Sequence, residues 1–136
     1  MKIHFWGATD DVTGSMTFID LPEGRILVDC GLVQGTEIAE KLNSLPLPYP
    51  TKEIDAIILT QAHLDHSGYL PRIVKNGFNG HIHCTPATAR LARIILLDSA
   101  KLNEDNFYDA KDVQETLQQI QTYEWDQDFE KLGAKI

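Results

Sequence analysis

The chain has 136 residues, 43% hydrophobic and 24% charged, with twelve Lys+Arg against twenty Asp+Glu for a net charge of −8. That is the length of one domain with enough apolar residues to bury a core, so a single unit over residues 1–136 is expected. The acidic balance argues against nucleic-acid binding through phosphate contacts, which needs clustered positive charge. Two cysteines do not make a disulfide framework, and no stretch approaches the roughly 20 apolar residues of a membrane span.

Residues 2–6 alternate and predict a strand. Residues 7–14 form a Gly/Asp/Thr loop, 15–20 a second strand, and 21–24 (Leu-Pro-Glu-Gly) a turn. Residues 25–29 predict a third strand, its Ile26-Leu27-Val28 run suggesting burial on both faces. Short turns make these three an antiparallel meander. Residues 37–42 predict a short helix. The proline-rich residues 45–50 are too short for a domain linker and read as an ordered crossing loop.

The hydrophobic run 54–60 predicts a fourth strand. It delivers Leu59-Thr60-Gln61-Ala62-His63-Leu64-Asp65-His66-Ser67-Gly68, a tight polar loop before an amphipathic helix over 69–76 that ends at Asn76-Gly77. Residues 80–84 predict a short strand on which His81 and His83, two apart, share a face; edge-strand histidines are the plainer reading and an adventitious metal pair the other. Thr85-Pro86 starts a helix to about Leu102, with Thr85 as N-cap and Pro86 at the first helical position. Its apolar stripe reads as Ala87, Leu91, Ile94, Ile95 and Leu102. Residues 103–110 are polar. Asp109 is a cap for a last helix in which Val113, Leu117 and Ile120 keep helical spacing. In the tail, Trp125 and Phe129 suggest packing, for example on a neighbour.

Cys30 and Cys84 each end an apolar run, where cysteine behaves as a small buried hydrophobe; reduced thiols fit a cytoplasmic setting. The basic pairs Arg72/Lys75 and Arg90/Arg93 read as solvated helix faces rather than a nucleic-acid surface. His63, Asp65 and His66 lie within four residues at the tip of a strand. In extended backbone, residues two apart point the same way. Position 61 and His63 therefore face one point, with Asp65 and His66 facing a second nearby. Imidazole nitrogens and carboxylates are the ligands a zinc-type ion prefers.

This stretch resembles the metallo-β-lactamase superfamily, whose signature is His-x-His-x-Asp-His after a hydrophobic strand. The resemblance is stronger to its β-CASP branch of RNA-processing nucleases. Phe5-Trp6-Gly7-Ala8 with Val12-Thr13-Gly14-Ser15 is similar to that branch's opening strand and loop. The run from Arg25 through Asp29 to Leu32 is similar to its strand carrying an acidic residue. The segments from Ser67 to Gly80 and from Cys84 to Thr88 are similar to the helix, strand and helix start that follow. The implied fold class is α/β (α+β): a metallo-β-lactamase-like half sandwich, a mixed β-sheet with helices on one face. The chain corresponds to the first half of a larger metallo-hydrolase domain.

The resemblance further implies two zinc ions. His63 would serve the first, Asp65 and His66 the second, with Asp65 also orienting the attacking water and Asp29 supporting the ligands from behind. Two departures stand out. The first histidine of the signature is Gln61, whose neutral amide oxygen is a weak zinc ligand, and no histidine follows His83 to supply the later ligands. The expectations are therefore weak or absent zinc binding, no catalysis and weak RNA binding by this chain alone, and a homo-oligomer that covers the exposed half-domain surface. The alternatives are a degenerate scaffold or interaction module, or another hydrolase of the same fold acting on thioesters or phosphodiesters.

Overall fold

The computed structural model describes residues 1–10, 12–35, 37, 41–102 and 107–136. Most of the expected 37–42 helix lies outside the described residues; residues 41–44 form a 3-10 turn. Six strands make one sheet in the order β1 (Lys2–Gly7), β2 (Met16–Leu21), β3 (Gly24–Val28), β4 (Ala56–Ile58), β5 (His81–Cys84) and β6 (Ile120–Thr122). The first three strands are antiparallel, as their short turns dictate. From β3 onward the pairing is parallel, because each connection crosses over through helical segments. The sheet is mixed, with its helices on one face, as the sequence predicts.

Among the described residues, the helices that join the later strands are α1 (Leu64–Ser67), α2 (Leu70–Lys75), α3 (Pro86–Leu102) and α4 (Ala110–Gln118). Phe18, Leu27, Ile57 and Ile82 stand on the helix-covered face at full burial, packed with Leu70, Ile73, Ala92, Leu96 and Val113. Asp109 caps α4 through a reciprocal box with Asp112, as its sequence position suggests. The crossing loop is ordered. The Arg25 guanidinium lies 3.4 Å from the centroid of the Tyr49 ring and pairs with Asp20 at 2.6 Å and Glu53 at 3.0 Å, while Tyr49 Oη meets His4 Nε2 at 3.0 Å. The Arg25 bond holds the Asp20 carboxyl below its usual value.

Several expectations are corrected. The fourth strand is Ala56–Ile58 rather than 54–60, because a 3-10 turn at Thr51–Glu53 leads directly into it. His81 and His83 are not on an edge, since β5 runs between β4 and β6. Ile120 leaves the last helix and opens β6. On α3 the buried positions are Ala92 and Leu96, whereas Leu91, Ile94 and Leu102 are exposed. This helix carries apolar residues around most of its circumference, so spacing alone does not choose the face. Trp125 is 81% exposed and does not pack.

The tail turns back as a hairpin, β7 (Glu130–Lys131) and β8 (Ala134–Lys135), toward the second sheet face. There Phe129 stacks on His83 at 4.9 Å and on Tyr123 at 4.0 Å. His83 is 3% exposed, and its Nδ1 meets Tyr123 Oη at 3.2 Å. Burial, with Lys131 and His81 nearby, pushes its imidazolium down to about 4. Unfolded histidine protonates near 6.5, so between pH 6.5 and 4 the unfolded chain takes up a proton that the folded chain refuses. The stabilisation is complete above pH 6.5 and is lost as pH falls toward 4, by up to about 3 kcal/mol. Urea unfolding at pH 7 and pH 4.5 should show this drop, and His83→Phe should flatten it.

Candidate metal centre

The strand tip is built by backbone before side chains enter. After β3 the chain turns at Asp29, which sits at φ 59 in the left-handed region that aspartate tolerates better than most residues. This turn lays residues 30–32 along the short helix α1. A helix of one turn leaves most of its carbonyls without internal partners; here only Leu64 O accepts from the chain just after it, Gly68 N–H at 2.9 Å. Cys30 N–H donates to His66 O at 2.7 Å, Leu32 N–H to Leu64 O at 2.8 Å, and Ser15 N–H to Asp65 O at 2.8 Å. Gly31 N–H in turn donates to Ser15 O at 3.0 Å. Gly31 is required because a Cβ at this position would overlap the Asp65 carbonyl. The opening loop and the segment after β3, both singled out by the sequence, thus cradle the residues carrying the chemistry.

Asp65 and His66 lie on α1, not in the extended loop that was expected. The His63 backbone, at φ −60 and ψ 152, is the last extended position before the turn. The two pairs expected from the sequence do form. His63 Nδ1 meets Gln61 Oε1 at 3.0 Å, and His66 Nε2 lies 3.4 Å from Asp65 Oδ2. Among the described residues, no group of three or more His, Cys, Asp or Glu side chains converges as a metal site.

Asp29, at the end of β3, reaches both Thr60 and the His66 ring. It is 4% exposed and accepts from three donor hydrogens. Its Oδ1 accepts from Thr60 N–H at 2.9 Å, its Oδ2 from His66 Nδ1 at 2.8 Å, and the single Thr60 hydroxyl hydrogen is shared between Oδ1 at 2.9 Å and Oδ2 at 2.8 Å. A carboxylate behind a histidine fixes its tautomer and leaves the other nitrogen, here Nε2, as the outward donor. This is the orientation a metal-ligating histidine uses, so His66 Nε2 and Asp65 are the two donors here that would hold a divalent cation, with Asp29 behind the ring. Gln61 itself fits one poorly, because its neutral amide oxygen is a weak zinc ligand. Thr60 and Ser15 carry parts of this structure that sequence reasoning missed; Thr60, a polar residue after an apolar run, was the available signal.

Cys30 is fully buried behind this segment, and burial pushes its thiol well above the ordinary value. Burial likewise pushes Cys84 up to about 11. Both are therefore protonated, unreactive thiols at neutral pH. Beside Gly31 lies a cavity of about 310 Å³ walled by Trp6, Met16, Val33, Leu47 and Tyr69. Neither Asp65 nor His66 lines it, so it is not where the donors converge.

The family model for the metallo-beta-lactamase superfamily matches residues 9–133. Ribonuclease TTHA0252 of Thermus thermophilus is 39% identical over 134 residues, covering 98% of this chain and 30% of that protein. The transcription termination factor FttA of Methanosarcina mazei is 37% identical, covering 72% of this chain and 16% of the factor. Cleavage and polyadenylation specificity factor subunit 3-I of Arabidopsis thaliana is 28% identical, covering 96% and 19%. The chain thus spans less than a third of the length of these relatives. A solved flavoprotein from Thermotoga maritima superposes with a TM-score of 0.54 at 18% identity, over 90% of this chain and 26% of that one, which shows a shared fold. The signature loop, the sheet that carries it and these matches agree: the chain belongs to the metallo-β-lactamase superfamily, on its β-CASP RNA-processing branch.

Proposed function

We propose that this chain is the N-terminal, metal-loop portion of a zinc-dependent hydrolase that cuts RNA, and that by itself it does not cleave. The observation carrying this reading is the line Asp29–His66–Asp65, a buried carboxylate fixing an imidazole beside a second carboxylate. Its relatives, a ribonuclease and a cleavage factor, suggest the substrate class. A divalent ion bound here would polarise a phosphoryl oxygen and acidify water. The chain's own part is to hold and orient: Asp29 fixes the His66 ring, and Asp65, a quarter exposed, presents its carboxylate to that ion and to the reacting water.

Weak RNA binding by the chain alone follows from its charge and from how its cations are engaged. Arg25 pairs with Asp20 and Glu53, and Lys75 pairs with Asp112. Arg72 donates to Asn43 O and lies over the rings of Tyr69 and Phe107. The non-catalytic scaffold reading draws its support from Gln61. The buried thiols are compatible with a cytoplasmic setting.

The second sheet face suggests self-association. Cross-strand partners share a face, so Ile3, Ile19, Ile26 and Ala56 form one apolar row and Phe5, Thr17, Val28 and Ile58 the next. Ile26 and Ala56 are buried, yet Ile3 is 46% and Phe5 69% exposed. Such a surface pairs with something, and for the isolated chain the occupant proposed is a second copy.

One preparation tests both parts. Purified chain and its Gln61→His variant should each carry little zinc at micromolar metal and leave RNA intact, while light scattering gives twice the mass of one chain. RNA cleavage by the unaltered chain would overturn the inactive reading, and a monomer mass would overturn the pairing.

A further inference from the structure

We infer that two copies of this chain join edge to edge along β1, antiparallel, with Ile3 of each copy opposite Phe5 of the other. The inference rests on the self-association reading and names the element that carries it.

β1 ends the sheet order, with β2 on one side only. In an edge strand, N–H and C=O groups point away from the sheet, and another strand is what satisfies them as a row. Such an edge is usually guarded by proline, an inward charge or shortness. β1 has six residues, contains no proline and carries its lysine at the first position. Its irregularity falls between Phe5 and Gly7, which leaves residues 2–5 in regular register with β2. The opposite edge, β6, is only three residues long. Exposure of the apolar rows is also greatest on β1, where Ile3 and Phe5 stay open while Ile26 and Ala56 are buried.

The occupant follows from the residues of β1 itself. Opposed residues of an antiparallel pair share a face. A two-fold axis normal to the sheet must therefore pass through one residue and pair those equally far on either side of it. Alternation puts Ile3 and Phe5 on the second face and Lys2, His4 and Trp6 on the other. There His4 Nε2 meets Tyr49 Oη at 3.0 Å, and Trp6 walls the cavity with Met16 and Tyr69. An axis through His4 sets Ile3 against Phe5 twice, apolar against apolar. It also sets Lys2 against the exposed ring of Trp6 twice, a cation beside an aromatic face. An axis through Ile3 would set Lys2 against His4, and one through Phe5 would set Ile3 against Gly7. The run Lys-Ile-His-Phe-Trp is thus complementary to itself in the register centred on His4.

Light scattering and cysteine cross-linking of the full chain test this. The unaltered chain should be a dimer at micromolar concentration. Phe5→Lys, at an exposed position, replaces two rings by two ammonium groups beside Ile3 and should weaken the dimer by about tenfold or more, with circular dichroism unchanged. Thr17→Lys lies one strand further in on the same face; it should leave an edge pair intact but would disrupt a face-on-face stack. Opposed Cβ atoms lie about 4.5–5.5 Å apart. Ile3→Cys chain mixed with Phe5→Cys chain under oxidised glutathione should therefore cross-link in higher yield than either variant alone. The buried Cys30 and Cys84 stay out of this exchange. A dimer that Phe5→Lys does not weaken, or that cross-links no better mixed than alone, would overturn the β1 pairing and leave self-association standing. A one-chain mass for the unaltered chain would overturn both.

Discussion

Gly31→Ala is expected to lower the unfolding free energy by about 3 kcal/mol or more and to displace α1 from the strand tip. The methyl group would overlap the Asp65 carbonyl, which is backbone and cannot rotate aside. Relief requires moving α1 away from residues 30–32, and that breaks the bonds from Ser15, Cys30 and Leu32 to its carbonyls. Because a domain of this size is stable by only about 5–15 kcal/mol in total, the loss is large. Urea denaturation measures it, and His66 ring-nitrogen shifts report whether the Asp29 bond survives. The substitution changes no ionisable or ligand side chain. A variant as stable as the parent, with unchanged His66 shifts, would show that Gly31 is not what sets the approach of the two segments.

Asp29 carries the second large effect, and two variants separate its contributions. Asparagine keeps the shape and tolerates the left-handed backbone at φ 59. With its oxygen kept on Thr60, its NH₂ faces His66 Nδ1, so the ring must move its proton to Nε2. Asp29→Asn should therefore cost on the order of 2 kcal/mol and exchange the His66 tautomer, which ring-nitrogen NMR reads directly. Asp29→Ala leaves the Thr60 and His66 donors without this acceptor and places a residue with no local acceptor in a strained conformation. Its expected cost is roughly 4 kcal/mol. Equal stability of the two variants, or an unchanged His66 tautomer in Asp29→Asn, would show that the carboxylate does not orient the ring.

The amino-acid sequence alone determined what depends on neighbours along the chain. The antiparallel meander, the cap at Asp109, the start of α3 at Pro86 and the order Gln61, His63, Asp65, His66 are local features, and each was legible. The place of Asp29 at a strand end beside Gly31 was legible too, because it is set by residues next to it in the chain. Other features depend on partners many residues away. Asp65 and His66 sit on a helical turn rather than an extended loop because Ser15, Cys30 and Leu32 capture the α1 carbonyls. The buried face of α3 was decided by α1 and α4 packing against it, since its own sequence offers apolar residues on several sides. Ile120 became a strand because β5 offered an open ladder. Spacing reports which faces a segment can bury, but only the contacts of the folded chain select one, and here those same contacts turn His66 Nε2 toward Asp65.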